Sequence, residues 1–541
     1  MNTPDVEETV PAAQGGVPAY PGSGKGMRTG RAISVVFFMT VAARLLTIVS
    51  QIVMADVFGT SKSMDAYVLA LIVPITIANI LNTAVGAAFI PVFIDYRENK
   101  GEAQAMRVLW AGAMLGLLAT IVVTALMIAG APLIIKGFGH QMDASTQALA
   151  SVLLRFLLPI VVLQAIITLL GAVLNVYGRF ALPSLAPGVV PLSLILFLLL
   201  ANSWGIYALG WGTLVGYVIN LLLLVVAYAR IGLRVQIVFD WRDPGVRRII
   251  ALTTPALASA LLVNVNTLID QFMAAMLPAG NLSSLSYAVK LVDGPSQFFY
   301  LALSTALLPL FSMQVARREF ALLRDTFRQA VIFAAIALLP AGALLCVLAD
   351  PVVTIVLQHG QFTDASSNVV AGAVALLAPS MFLFSYSFIN GRIYNALQDN
   401  WTLRNVSILS LTLNAVLDFV LMQFWGVAGI AFSTTLTYLI TAAILLLILN
   451  RKLGGINLGQ LGLALGKAAL AAALMATACA LLEQVPLIAG LPPLAEICVL
   501  GVIGSLIYLA LLLALRMREL NLLWNMARAR LPWGRPAVEA A

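Results

Sequence analysis

Residues 65–94 read DAYVLALIVPITIANILNTAVGAAFIPVFI, and after Asp65 the stretch contains no charged residue. Crossing the hydrocarbon of a bilayer takes about 20 mostly apolar residues in a helix. The run lacks the period-two alternation of a membrane barrel strand, so it reads as a membrane-spanning helix. Similar runs extend outward on both sides. Fourteen lie near 31–57, 65–94, 104–135, 146–176, 184–203, 206–231, 246–278, 284–314, 323–349, 366–393, 401–423, 427–450, 464–484 and 492–515. Composition agrees: of 541 residues 61% are hydrophobic and 10% charged, with mean hydropathy +0.99. Soluble proteins carry about 25% charged residues, so several soluble domains, a disordered chain and a cytosolic enzyme are all excluded. The fold class is an all-α polytopic membrane protein with 14 transmembrane helices.

The net charge of +8 does not indicate nucleic acid, because the basic residues sit in short clusters between apolar runs. Of the 31 Lys and Arg, 26 fall on the side shared by the two termini, against Lys62 and Lys136 opposite. An excess of Lys and Arg marks cytoplasmic loops, so both termini are expected in the cytoplasm of a bacterial inner-membrane protein. Residues 1–27 read as a disordered cytoplasmic tail and 516–541 as a basic one. Cys346, Cys479 and Cys498 lie in apolar segments without metal-binding spacing and read as packing residues.

The chain repeats itself. Phe89-Ile-Pro-Val-Phe93 recurs as Leu307-Leu-Pro-Leu-Phe311, and Leu174-Asn-Val-Tyr177 recurs loosely as Tyr394-Asn-Ala-Leu397. Six spans separate the copies, so both have the same orientation. Two pseudo-symmetric six-helix lobes follow, at 28–240 and 241–454, as in transporters that rock about a central cavity. Two C-terminal helices at 455–515 stand outside the repeat.

Enzymatic motifs are lacking: His140 and His359 are far apart, and no P-loop, zinc-protease or serine-hydrolase pattern occurs. The informative residues are charges within spans, which must face an aqueous cavity or a partner. Arg44 lies mid-span in the first helix. On the second, Asp65, Thr76, Asn79, Thr83 and Gly86 share one face at 100° per residue. Such a surface suits phosphate, to which a guanidinium donates paired bonds; alternatively Arg44 and Asp65 simply pair. Lys290, with Asp293 three residues on, either faces the same cavity from the second lobe or is neutralised by Asp293. Asn266 and Asp270 on the seventh span, Ser407, Ser410, Asn414 and Asp418 on the eleventh, and Ser433, Thr434 and Thr435 on the twelfth are rich in oxygen. That set suits a hard cation, sodium or a proton, or plain interhelical hydrogen bonding.

The stretches Arg44-Leu-Leu, Val57-Phe-Gly59, Asp65-Ala-Tyr67, Ala88-Phe-Ile-Pro91, Leu174-Asn-Val-Tyr-Gly-Arg-Phe180, Tyr287-Ala-Val-Lys-Leu291 and Tyr394-Asn-Ala-Leu-Gln-Asp399 resemble the MurJ (MviN) lipid II flippases. These belong to a superfamily that includes multidrug exporters and polysaccharide flippases. The resemblance runs from about residue 30 to 515. It implies export of undecaprenyl-pyrophosphate-linked peptidoglycan precursor by alternating access, with no enzymatic step. Arg44 and Asp65 match functional positions of the family, and Lys290 stands where it usually has Arg. Ser50 and the Ala78-Asn79 pair occupy positions that are usually Arg, so a less cationic cavity is expected. Asp270, Asn414, Asp418 and Thr434, with the backbone carbonyl of Ile430, match a family sodium site. The last two helices correspond to a groove for the lipid tail. Another polyprenyl-linked oligosaccharide (exopolysaccharide or O-antigen type) and, further off, cation-coupled drug export are the alternative cargoes. No motif sets the oligomeric state; a monomer is the expectation.

Overall fold

The computed structural model describes residues 26–233 and 235–517; most of the two expected tails, and Arg234, lie outside them. The first lobe comprises α1 (Gly26–Phe58), α2 (Lys62–Ala84), α3 (Ile90–Lys100), α4 (Glu102–Phe138), α5 (Ala144–Leu157), α6 (Pro159–Val176), α7 (Ala181–Leu185), α8 (Val189–Leu200) and α9 (Ile206–Arg230). The second comprises α10 (Pro244–Ala275), α11 (Asn281–Ala316), α12 (Phe320–Val347), α13 (Ala349–Leu357), α14 (Asp364–Leu377), α15 (Ser380–Ala396), α16 (Asn400–Trp425) and α17 (Val427–Lys452). α18 (Leu458–Glu483), α19 (Pro486–Ala489) and α20 (Pro493–Ala514) follow. Among the described residues there is no strand.

Among the described residues, eleven segments are long and apolar enough to cross a membrane, or twelve if the α14–α15 pair, bent by 42°, is one span. The expected fourteen also count α10 and α11, of which only part lies among the residues this count covers. Both helices carry the polar residues that face the molecular interior. α2 continues through Pro74 and enters a π-helical turn at Val85–Phe89 before α3. α5 and α6 meet at Leu158–Pro159, and α14 and α15 meet at Ala378–Pro379, because a proline within a helix removes a hydrogen bond and crowds the preceding turn.

The duplication is visible in the turns. Residues with left-handed φ pair up at separations of 217–222: Gly59 with Gly280, Gly101 with Arg318, Gly178 with Gln398, Gly205 with Gly426, and Gly232 with Gly454. The turn after α6 closes with Arg179 N donating to Leu174 O, and the turn after α15 with Asp399 N donating to Tyr394 O.

One apolar core joins both lobes at the end bearing the α1–α2 turn, through Met54, Tyr67, Leu153, Leu285, Val353 and Ile430, and continues along the second lobe to Tyr394 and Leu453. At the end bearing the termini, the first lobe has its own core around Phe93, Trp110 and Tyr228, closed by Val246 and Ile249 of α10. α10 therefore packs on α2 and α4 of the first lobe as well as on α16 of the second, its end meeting α4 where Phe272 lies against Phe138. The lobes are fused at one end and part toward the other.

Candidate functional site

The seam at the fused end is built on Asp65. It is 1% exposed, and its carboxylate accepts from Gly280 N at 2.5 Å and Ser283 N at 2.8 Å, at the start of α11. The first amide groups of a helix lack intrahelical partners and carry partial positive charge, so a carboxylate from the other lobe satisfies them. In this arrangement Asp65 is buried at the seam and does not line the central cavity. Around it, Gln361 N donates to Asp56 O at 2.8 Å, Thr60 and Ser366 share a 2.6 Å hydroxyl bond, and Tyr287 donates to Gly59 O. Gly59 and Gly280 combine left-handed φ with close approach: a Cβ on Gly59 would lie 2.4 Å from Gln361 O, and one on Gly280 2.8 Å from Thr60 O. Any other side chain would wedge the lobes apart.

Beyond the seam lies a central cavity of about 360 Å³ between the lobes, lined among others by Ser50, Gln51, Thr76, Asn79, Gln271 and Lys290. Lys290 is exposed to it, and its Nζ donates to Gln51 Oε1 at 2.8 Å, one bond reaching across the cavity from α11 to α1. Among the described lining residues Lys290 is the only charged one. Asn79 is exposed into the cavity, whereas its neighbour Ala78 is buried. Ser50 is buried and turns its hydroxyl to Thr47 O at 2.7 Å. Arg44 is half-buried two turns from Gln51 along α1, away from the lining, where its charge acts on Asp293. Asp293 thus feels the charge of Arg44 from the other lobe, and Lys290 takes a neutral partner. Past Asn79, Thr83 and Gly86 are exposed toward the end of the molecule bearing the termini.

The second constellation gathers in the second lobe. Asp270 of α10 meets Asp418 and Asn414 of α16, and Thr434 of α17 donates to it at 3.5 Å. Asp418 is fully buried and accepts from Ser433. Ser433 and Thr434 both return to the carbonyl of Ile430, at 3.0 and 3.2 Å. Four buried oxygens have no hydrogen-bond partner: Oδ1 of Asn266, Asp270 and Asn414, and Oδ2 of Asp418. No Lys or Arg forms an ion pair with either carboxylate among the described residues. Two touching carboxylates cannot both stay charged without a shared proton or a cation. Unsatisfied hard oxygens from α10 and α16, with the Thr434 hydroxyl and the Ile430 carbonyl of α17 beside them, are the donor set a small cation takes, so the residues fit the expected ion. All five expected ligands are brought together, while Ser407 is not part of this network.

Gln51 was the less legible member. Gln51 lies seven residues after Arg44, at helical spacing on α1, and that polar stripe is the signal that could have found it.

The match to the family model described as lipid II flippase MurJ covers residues 54–491. The Vibrio cholerae probable lipid II flippase MurJ is 30% identical over 435 residues, covering 76% of this chain and 81% of that protein. The Burkholderia cenocepacia lipid II flippase MurJ is 25% identical over 436 residues, covering 78% and 84%. In fold, the chain matches a lipid II flippase MurJ in an inward closed conformation with a TM-score of 0.76 and 20% identity, over 90% of this chain and 99% of that one. An inward-facing MATE multidrug transporter of the MOP superfamily aligns with a TM-score of 0.63 and 13% identity, over 79% and 98%. The helices, the repeated turns and the matched length agree: this multi-pass membrane protein belongs to the lipid II flippase MurJ family.

Proposed function

We propose that this protein is a transporter that carries lipid II, the undecaprenyl-pyrophosphate-linked peptidoglycan precursor, across the bacterial inner membrane by alternating access. The observation that carries the reading is the cavity between lobes fused at one end, crossed by the Lys290–Gln51 bond, in a chain of this family. With both termini in the cytoplasm, the seam at Asp65 closes the outer side and the cavity faces inward. The pyrophosphate enters along Thr83 and Asn79 and competes with Gln51 for Lys290. Arg44, beside Asp293, supplies the second positive charge. Binding then shifts the lobes only in so far as the headgroup binds the outward arrangement differently. The groove of α18 and α20, with Leu463, Leu470, Leu506 and Leu513 exposed, takes the lipid tail.

Asp270, Asn414, Asp418, Thr434 and the Ile430 carbonyl are proposed to hold sodium. A bound sodium ion would neutralise the paired carboxylates and link their packing to the ion gradient. The protein's own part is to hold these oxygens together across α10, α16 and α17, with those of α10 and α16 left without full hydrogen bonding.

A cavity wall with one charged residue favours, as a second reading, a different polyprenyl-linked oligosaccharide. Expression in a strain depleted of its own MurJ separates the two. Rescue of growth, with lipid II reaching the outer leaflet in an accessibility assay, is expected; membrane insertion without rescue would assign the other cargo. Arg44→Ala is expected to abolish rescue at normal expression.

A further inference from the structure

A second cavity, of about 450 Å³, lies inside the first lobe at the end bearing the termini. Its walls come from α2, α4, α6, α9 and α10, among them Leu81, Trp110, Leu117, Leu169 and Leu257. No lining residue is common to the two cavities: on α2, Ile77 and Leu81 face this one while Thr76 and Asn79 face the central one. α2 is therefore a partition, and its π-helical turn contributes Val85 and Phe89 to the apolar side. The few polar groups in the wall are turned on the protein. Trp110 Nε1 donates to the Tyr228 hydroxyl at 3.0 Å and Thr120 to Gly116 O at 2.8 Å, which leaves only the Thr253 hydroxyl without a partner. A stable water needs two to four polar partners, so this space suits hydrocarbon. Its volume is within the range of roughly 300–1,000 Å³ typical of small-ligand sites.

At the rim stands Val235, the start of the extended connector between α9 and α10. Successive side chains of an extended chain point to opposite faces. Inward, Val238 packs on the core and Asp240 pairs with Arg107 at 3.5 Å. Outward, Val235, Ile237, Phe239 and Trp241 are 54%, 79%, 61% and 58% exposed. Because the connector joins two spanning helices, this apolar strip lies at the membrane boundary, where Trp is favoured. Arg230, Arg242 and Arg247 are exposed around it and make no ion pair among the described residues, whereas Arg248 is held by Asp95 at 2.5 Å.

We propose that the cavity and the strip form a binding site for one glycerophospholipid of the leaflet on the side of the termini. One acyl chain fills the cavity behind α10, the strip lies at the boundary between headgroups and chains, and the phosphate meets Arg230, Arg242 and Arg247. The site uses none of the residues of the central cavity and does not depend on the cargo. A polyprenyl phosphate has the same phosphate-and-chain chemistry, but the α2 partition separates this cavity from the transport path.

The test uses the full chain. Native mass spectrometry of protein extracted in mild detergent is expected to show one retained phospholipid. Gly116→Leu extends into the cavity, since a Cβ there meets nothing within 4 Å, and should lower retention at least five-fold; Lys290→Ala, across the partition, should leave it unchanged. Reconstitution into vesicles of phospholipid brominated at mid-chain is expected to quench the Trp110 emission, read as the difference between the native chain and Trp110→Phe. That arm decides the matter if Gly116→Leu fails to fold. Unquenched Trp110, equal retention in folded Gly116→Leu, or displacement of the retained phospholipid by added undecaprenyl phosphate would each overturn the assignment, the last by giving the site to the cargo's tail.

Discussion

In the second lobe, Asn414 and Asp418 on α16 and Thr434 on α17 close around Asp270; about 220 residues earlier, α8 and α9 place Leu194, Leu198 and Thr213 at the corresponding points. Thr213 even repeats the backbone bond, donating to Leu209 O at 2.8 Å as Thr434 does to Ile430 O. Its other partner, however, is the Tyr67 hydroxyl at 2.7 Å instead of a carboxylate. Leu194 and Leu198 are buried in the common apolar core. The backbone repeat therefore sets where these helices meet, and a few side chains decide whether the junction is lined by leucine or by carboxylate and amide oxygens.

The strongest way to break that comparison is to write the first lobe's residues into the second. Asp418→Leu combined with Asn414→Leu should keep the fold, because replacing buried polar groups with well-packed apolar ones is often neutral or stabilising. It should eliminate sodium-dependent thermal stabilisation and reduce plating of a MurJ-depleted strain by at least a hundredfold. Wild-type growth with the sodium response intact would remove the ion role from this cluster. The reverse exchange, Leu198→Asp, puts a carboxylate into the apolar junction with no second acid, amide or cation to meet it. An unpartnered buried charge costs about 3–5 kcal/mol, so the expected result is a marked fall in melting temperature and yield. Unchanged melting would mean that the first lobe's junction is already wet.

A smaller effect is expected at the seam, which the repeat does not mirror. Asp65 caps α11 of the other lobe, while Ser286, at the matching place on α11, lines the central cavity. Asp65→Ala strands two buried amide groups, and hydrogen bonds to a charged group contribute about 1.5–3 kcal/mol each. Faster labelling of a cysteine at Thr60 by a membrane-impermeant thiol reagent would report the loosened seam; Asp65→Asn, still an acceptor, should restore most of the protection. Labelling that is unaltered in Asp65→Ala would show that the glycine contacts hold the lobes alone.

Asp65 also shows where sequence reading stops. Its place on a polar helix face was legible from spacing, but the groups it serves are backbone amides more than 200 residues away, which carry no residue signature. Arg44 and Lys290 were legible as intramembrane charges for the same reason that the spans were, namely their contrast with apolar neighbours. That Lys290 bonds Gln51 and that Asp293 feels the charge of Arg44 depend on how α1 and α11 run across the lobes. The ion cluster was the most legible part, because its side chains fall at helical spacing on helices that pack directly.

The finest contrast lies in two helix caps. Asp143 begins α5, accepting from Thr146 N, and Thr363, 220 residues on, begins α14, accepting from Ser366 N. Bonds from the Ser145 and Thr146 hydroxyls hold the Asp143 carboxyl well below the usual carboxylate range, with Lys62 3.5 Å away adding to the effect. A group with a depressed folded pKa contributes its full stabilisation above the unfolded value, about 3.9 for Asp, and loses it as pH falls through the folded one. The Thr363 hydroxyl does not titrate. Acidification from pH 5 to pH 2.5, after correction for intrinsic rates, should therefore accelerate amide exchange in the first turn of α5 relative to that of α14. Asp143→Asn should abolish the difference while leaving the α14 turn unaffected. Equal acceleration in both turns of the native chain would show that the loops at this end respond to pH as one unit, and that the two caps are interchangeable despite their chemistry.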